Sequence, residues 1–220
     1  MLIKFCVASQ REQQQGAFFM RKEKVDRKIL RITELGVLLA IIIIMGFTPI
    51  GYIKFGVVEI TLITVPVIIG AMVVEPAAGA LLGFAFGMTS FLQCVFGMSA
   101  FGVMMLEINP LFAFLVTVPT RTLMGWLTGL FYKAINRHDA IGFAVTGLVG
   151  SLLNTLFFMT MLLACFWQTD YIQNIAASLG TTNVFAFAVA FVGINGLIEA
   201  VCCTILATVI SKALYKWFES

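Results

Sequence analysis

The side chains in this sequence that could do chemistry are few, and they stand inside long apolar stretches. Arg121 lies about 11 residues into the stretch 110–134, roughly 16 Å from its start at about 1.5 Å per residue. That is the middle of a bilayer core about 30 Å thick, where an arginine costs at least ~2.5–3.5 kcal/mol. Thr117 shares a helix face with it, and Pro119 withholds the backbone N–H that would engage the Leu115 carbonyl. Asn154 and Thr155 fall at similar depth in the stretch 141–166, with Ser151 one turn earlier. Asn195 and Glu199 are four residues apart in 183–211 and share a helix face.

Two kinds of chemistry fit this set. In one, Arg121 and Glu199 form a structural ion pair, and the asparagines are hydrogen-bonding glue between helices. In the other, the same groups line a water-filled cavity and hold a polar solute, the usual meaning of ionisable groups at membrane depth. Catalysis finds no support. No GxxxxGK(S/T) loop surrounds any lysine, GxSxG is absent, and a single histidine, His138, rules out HExxH. His138, between Arg137 and Asp139, is expected on the surface. Cys6, Cys94, Cys165, Cys202 and Cys203 make no CxxC pair and read as small apolar residues within helices. No metal, cofactor or enzymatic activity is expected.

The elements that hold these residues are membrane spans. The 220 residues are 60% hydrophobic and 11% charged, with a mean hydropathy of +1.02; a soluble domain carries about 25% charged residues. Lipid must therefore be the solvent. Apolar segments at 33–51, 60–74, 77–95, 110–134, 141–166 and 183–211 predict an all-α bundle of six transmembrane helices. The second is short and carries Pro66, and Glu75-Pro76 reads as a tight hairpin to the third. The connections 52–59, 96–109 and 167–182 are longer. Trp167, Gln168 and Tyr171 in the last of them are expected as interfacial anchors, with the alternative of capping a ligand.

Residues 1–31 form a basic tail and 32–220 the membrane domain. The tail carries Lys4, Arg11, Arg21, Lys22, Lys24, Arg27, Lys28 and Arg31. Residues 1–19 lack periodicity, and the functional chain is expected to begin at Met20. With Lys133, Arg137, Lys212 and Lys216, twelve basic residues fall on the tail's side against Lys54 on the other, which places both termini in the cytoplasm and the longer connections outside. This charge belongs to helix ends, so no nucleic acid partner is expected. Gly79, Gly83 and Gly87, Gly125 and Gly129, and Gly36 and Ala40 form small-residue stripes that suit either packing within the bundle or docking to another membrane protein.

Several motifs together carry a family resemblance: Ile60-Thr-Leu-Ile-Thr-Val-Pro-Val-Ile-Ile-Gly-Ala, Pro76-Ala-Ala-Gly-Ala-Leu-Leu-Gly-Phe-Ala-Phe-Gly-Met-Thr-Ser, Pro119-Thr-Arg, Gly147-Leu-Val-Gly-Ser-Leu-Leu-Asn-Thr and Asn195-Gly-Leu-Ile-Glu-Ala. From about Arg31 to Lys216 the chain resembles the substrate-binding S-components of energy-coupling factor (ECF) vitamin transporters, most of all their pantothenate-type branch. The resemblance implies a multi-pass protein of the prokaryotic cell membrane that binds a vitamin from outside, in a pocket built by the last three helices and closed by the extracellular loops. It also implies partners: a transmembrane coupling subunit and two cytoplasmic ATPase subunits. Family members dock through an alanine-x-x-x-alanine pattern on the first helix; Gly36 and Ala40 match it here, with a departure at the first position.

For pantothenate, Arg121 would hold the carboxylate bidentately, while Asn154 and Asn195 would serve its hydroxyl and amide groups. Glu199 would accept from a hydroxyl or orient Arg121. Another vitamin or precursor (a pyrimidine, pyridoxine or folate compound) and an ion-coupled secondary transporter stay open; the latter would favour inverted repeats, and the halves show no convincing self-similarity.

Overall fold

The computed structural model describes residues 28–48, 51–55, 58–181 and 183–219, with side chains left undescribed at 53–55, 58–60, 194–195 and 215–219. The tail as far as residue 27, including the expected start at Met20, lies outside the described residues, as do the side chains of Lys54, Asn195 and Lys216.

Helix α1 (Lys28–Gly46) leads to a hairpin of β1 (Tyr52–Phe55) and β2 (Val58–Thr61). Then follow α2 (Thr64–Val73), α3 (Pro76–Val95), α4 (Ala100–Ile108), α5 (Pro110–Ile135), α6 (Ala140–Phe166), α7 (Asp170–Ser178) and α8 (Val184–Glu219). All the described elements are helical apart from the antiparallel hairpin, whose register pairs Tyr52 with Thr61.

Local chemistry sets the helix starts. Asn109 Oδ1 accepts from the Leu111 and Phe112 N–H groups at 3.0 and 3.3 Å, just before Pro110. Asp139 Oδ1 accepts from the Gly142 N–H at 2.8 Å. Each satisfies N–H groups that a helix start leaves unpaired, and Pro110 and Pro76 occupy first-turn positions where a missing N–H costs nothing. Along α5, the hydroxyls of Thr117, Thr122 and Thr128 donate to carbonyls one turn back at 2.7–2.9 Å. These hydroxyls are thereby satisfied within their own helix, as hydrocarbon surroundings require.

Among the described residues, five helices are long and apolar enough to cross a membrane: α1, α3, α5, α6 and the Gly196–Leu214 part of α8. The expected second span, 60–74, resolves differently. Its first residues form β2, and α2 has only 10 residues, about 15 Å of helix, roughly half a bilayer core. All of Thr64–Met72 is buried; α2 is apolar because protein surrounds it, and it sits among α3, α5, α6 and α8. The connections 96–109 and 167–182 hold α4 and α7 in place of open loops. The expected last span is broken: Gly193 adopts φ 11°, ψ −113°, and a glycine is where a helix kinks most easily.

The glycine stripes on α3 and α5 pack inside the bundle. A Cβ on Gly79 would stand 2.5 Å from the Gly125 carbonyl, one on Gly87 2.7 Å from the Val118 Cα, and one on Gly83 would collide with the Arg121 carbonyl. Without side chains in between, the two backbones approach closely, which fixes the height of Arg121. Gly36, by contrast, has nothing within 4 Å of its Cβ position, and Ala40 is exposed on the same helix.

Candidate binding site

One end of the bundle holds a half-open cavity of about 480 Å³, within the roughly 300–1,000 Å³ usual for small-molecule sites. Its walls come from α3, α5, α6 and α8, and it is bordered by the ends of the hairpin at Tyr52 and Thr61, by α4 at Phe101 and Met105, and by α7 at Tyr171. All three longer connections thus gather around it. Lys28, Arg31, Lys133, Arg137 and Lys212 fall at the opposite ends of their helices.

Arg121 is 9% exposed and lines the cavity. Its Nη1 donates to the Thr117 carbonyl at 3.1 Å, one turn back along α5. The guanidinium carbon lies 4.6 Å from the Phe86 ring centroid and 5.5 Å from that of Phe158, so aromatic faces support the cation. Its Nε has no hydrogen-bond partner among the described residues. Among those residues, ion pairs within 4.0 Å are Arg31–Glu75 and Arg137–Asp139, both at the surface. The Arg121–Glu199 ion pair, one of the two readings of the sequence, does not form.

Glu199 engages other groups. Its Oε1 accepts from Asn154 Nδ2 at 3.2 Å, and its Oε2 from the Thr61 backbone N–H at 3.4 Å. The difference is placement: Glu199 takes its hydrogen bonds from α6 and the foot of the hairpin, and Arg121 turns along α5 toward Thr117. Asn154, 9% exposed, also lines the cavity. Three of the four expected site residues therefore meet at one cavity, and the Asn195 side chain lies outside the described residues. Thr117 and Thr155 also reach it, whereas Ser151, though buried, is not part of its wall.

Several lining residues come from elements the sequence did not assign to a site. On α3, Ser90 Oγ shares a 2.8 Å hydrogen bond with the Tyr52 hydroxyl, Gln93 Nε2 donates to the Gly46 carbonyl, and the Cys94 thiol donates to the Ser90 carbonyl at 3.2 Å. The signal for Ser90 and Gln93 was present: they are polar side chains in an apolar span, like Asn154. Phe101 lies between Tyr171 and Phe191, its ring tilted against both with centroids 6.3 and 5.8 Å away, making an aromatic wall. Tyr171 thus borders the cavity, while Trp167 packs on Phe187 at 5.7 Å. His138 is exposed as expected, its Nδ1 sharing a 2.9 Å hydrogen bond with the Tyr132 hydroxyl.

A helical membrane domain with a half-open, mostly apolar cavity, a few polar side chains and a buried cation on its wall defines a solute-binding membrane protein. Residues 30–211 match the family "ECF transporter, substrate-specific component", and the chain belongs to that family. It is a multi-pass substrate-binding subunit of a vitamin transporter, working with an ECF module, and the family is one of transporter components rather than enzymes. It is also similar to the "Pantothenic acid transporter PanT" of Lactococcus lactis subsp. cremoris (strain MG1363), with 27% identity over 173 residues covering 72% of this chain and 79% of that one.

Proposed function

We propose that this subunit binds pantothenate at the prokaryotic cell surface, with Arg121 holding the carboxylate and Asn154 and Asn195 serving the hydroxyl and amide groups. One observation carries the reading: among the described residues, a nine-tenths buried guanidinium on the cavity wall has no carboxylate within 4.0 Å and an unpartnered Nε. A buried cation without a counter-charge is costly, and a ligand carboxylate would supply both the charge and a bidentate acceptor. The likeness to a pantothenic acid transporter supports the same vitamin. Basic residues at the end away from the cavity favour a cytoplasmic position for that end, and hence ligand entry from outside.

Titrating pantothenate into the purified, detergent-solubilised subunit should give saturable binding and raise its melting temperature, since a ligand specific to the native state stabilises it by mass action. Pyridoxine or a pyrimidine compound should do neither. Binding of one of those without pantothenate would overturn the vitamin assignment.

The exposed Gly36–Ala40 strip of α1 is the proposed docking face for the coupling subunit, which would carry two ATPase subunits. Gly36→Leu should leave vitamin binding and stability unchanged, because its Cβ meets only open space. Assembly with the coupling subunit, measured by co-purification, should fall sharply, as a leucine keeps two backbones apart. Undiminished assembly would move the docking face elsewhere.

A further inference from the structure

Glu199 is the second buried ionisable side chain at the cavity, being only 7% exposed, and vitamin binding as proposed above does not account for it. Its two oxygens accept from Asn154 Nδ2 at 3.2 Å and from the Thr61 N–H at 3.4 Å. A carboxylate has no proton to donate, whereas an asparagine amide has one donating end and one accepting end. Reversing the Asn154 amide would set its carbonyl oxygen against a carboxylate oxygen, two acceptors with no proton between them. The Thr61 bond holds the carboxylate from its other side, so it cannot turn away to relieve such a clash. One N–H of Asn154 is therefore committed to α8, and the amide is held with its carbonyl oxygen on the side away from Glu199.

We propose that Glu199 is a positioning residue that fixes the Asn154 amide and so makes this part of the wall a hydrogen-bond acceptor. The ligand class follows from the two ends of the site: an acid whose carboxylate faces Arg121 and whose far portion carries an O–H or N–H donor toward Asn154. Acids with only carbonyl or carboxylate oxygens at that end meet an acceptor with no proton between and are excluded. This rests on the function proposed above for the carboxylate at Arg121 and for the choice of pantothenate, which has hydroxyl and amide donors, as probe.

Glu199→Gln tests the inference, because the introduced side-chain amide can donate to the Asn154 oxygen and turn the Asn154 amide, putting N–H groups into the cavity. Pantothenate affinity should fall tenfold or more while the melting temperature of the free protein holds. Adding Asn154→Asp to Glu199→Gln reverses the hydrogen bond between the two side chains, with the introduced glutamine donating and its carbonyl oxygen still accepting from the Thr61 N–H, and again presents an acceptor to the cavity. The double variant should bind within about threefold of the parent. A role confined to structure would give a lowered melting temperature and no such recovery, and would overturn the proposal, as would wild-type affinity in Glu199→Gln.

A ligand-free measurement separates this from the vitamin assignment. In protein labelled with nitrogen-15 at asparagine, the Asn154 side-chain amide protons should exchange slowly in the parent and at least tenfold faster in Glu199→Gln. If the parent does not bind pantothenate, the vitamin assignment fails, and the exchange rates alone decide the role of Glu199. Equal rates in the two proteins would overturn it.

Discussion

Arg121→Gln is expected to weaken pantothenate binding by about 30-fold or more while the protein remains folded. Truncating one partner of a buried charge-assisted pair typically costs 2–5 kcal/mol, and about 1.4 kcal/mol corresponds to a factor of ten. The guanidinium makes few structural commitments: one bond to the Thr117 carbonyl and the faces of Phe86 and Phe158. Its loss should therefore cost the bundle little. Arg121→Lys should fail as well, because an ammonium cannot reproduce the bidentate fork. Ligand titration beside thermal melting of both variants decides the matter. If affinity stayed at the parent level while Arg121→Gln lost stability, Arg121 would be a structural residue and the site would need another anchor.

Gly83→Leu should be more damaging still, preventing stable folding of the membrane domain, and Gly83→Ala should lower both stability and vitamin affinity. Any Cβ at this position collides with the carbonyl of Arg121, and the next nearest atoms are also α5 backbone, at 3.0 and 3.2 Å. Backbone cannot rotate aside as a side chain can, so α3 and α5 must separate. Overpacking of this kind costs typically about 1–3 kcal/mol for a small insertion, and more for a leucine. Because the atom struck belongs to Arg121 itself, the displacement also carries the site's cation away from its place. Thermal unfolding in detergent, read beside pantothenate titration, checks both effects. Gly36→Leu is the matched control, since it adds the same side chain where nothing stands within 4 Å. Equal behaviour of the two leucine variants would mean that the α3–α5 contact is not the tight one.

Composition and hydropathy were enough to establish a membrane protein, because too few polar side chains exist to face water. The same rule picked out Arg121, Asn154 and Glu199: a polar group inside an apolar span is costly enough to need a reason. The family was also readable, since its motifs lie in contiguous segments. Applied to α3, that rule would have found Ser90 and Gln93 too.

What the chain's linear order could not contain was pairing. Glu199 and Arg121 have complementary charges, and from sequence a direct ion pair was one of two open readings. Only the packed bundle shows that α6 and the hairpin reach the carboxylate first. The purpose of the glycine stripes was equally undecided, because a small residue suits any close neighbour, inside or outside the chain. Tertiary structure divided them, setting Gly79, Gly83 and Gly87 against α5 and leaving Gly36 bare. Hydropathy also could not separate α2 from a span, since burial in protein and burial in lipid select the same apolar side chains. Length is what sets α2 apart: its 10 residues of helix are about half of the roughly 20 that a span uses.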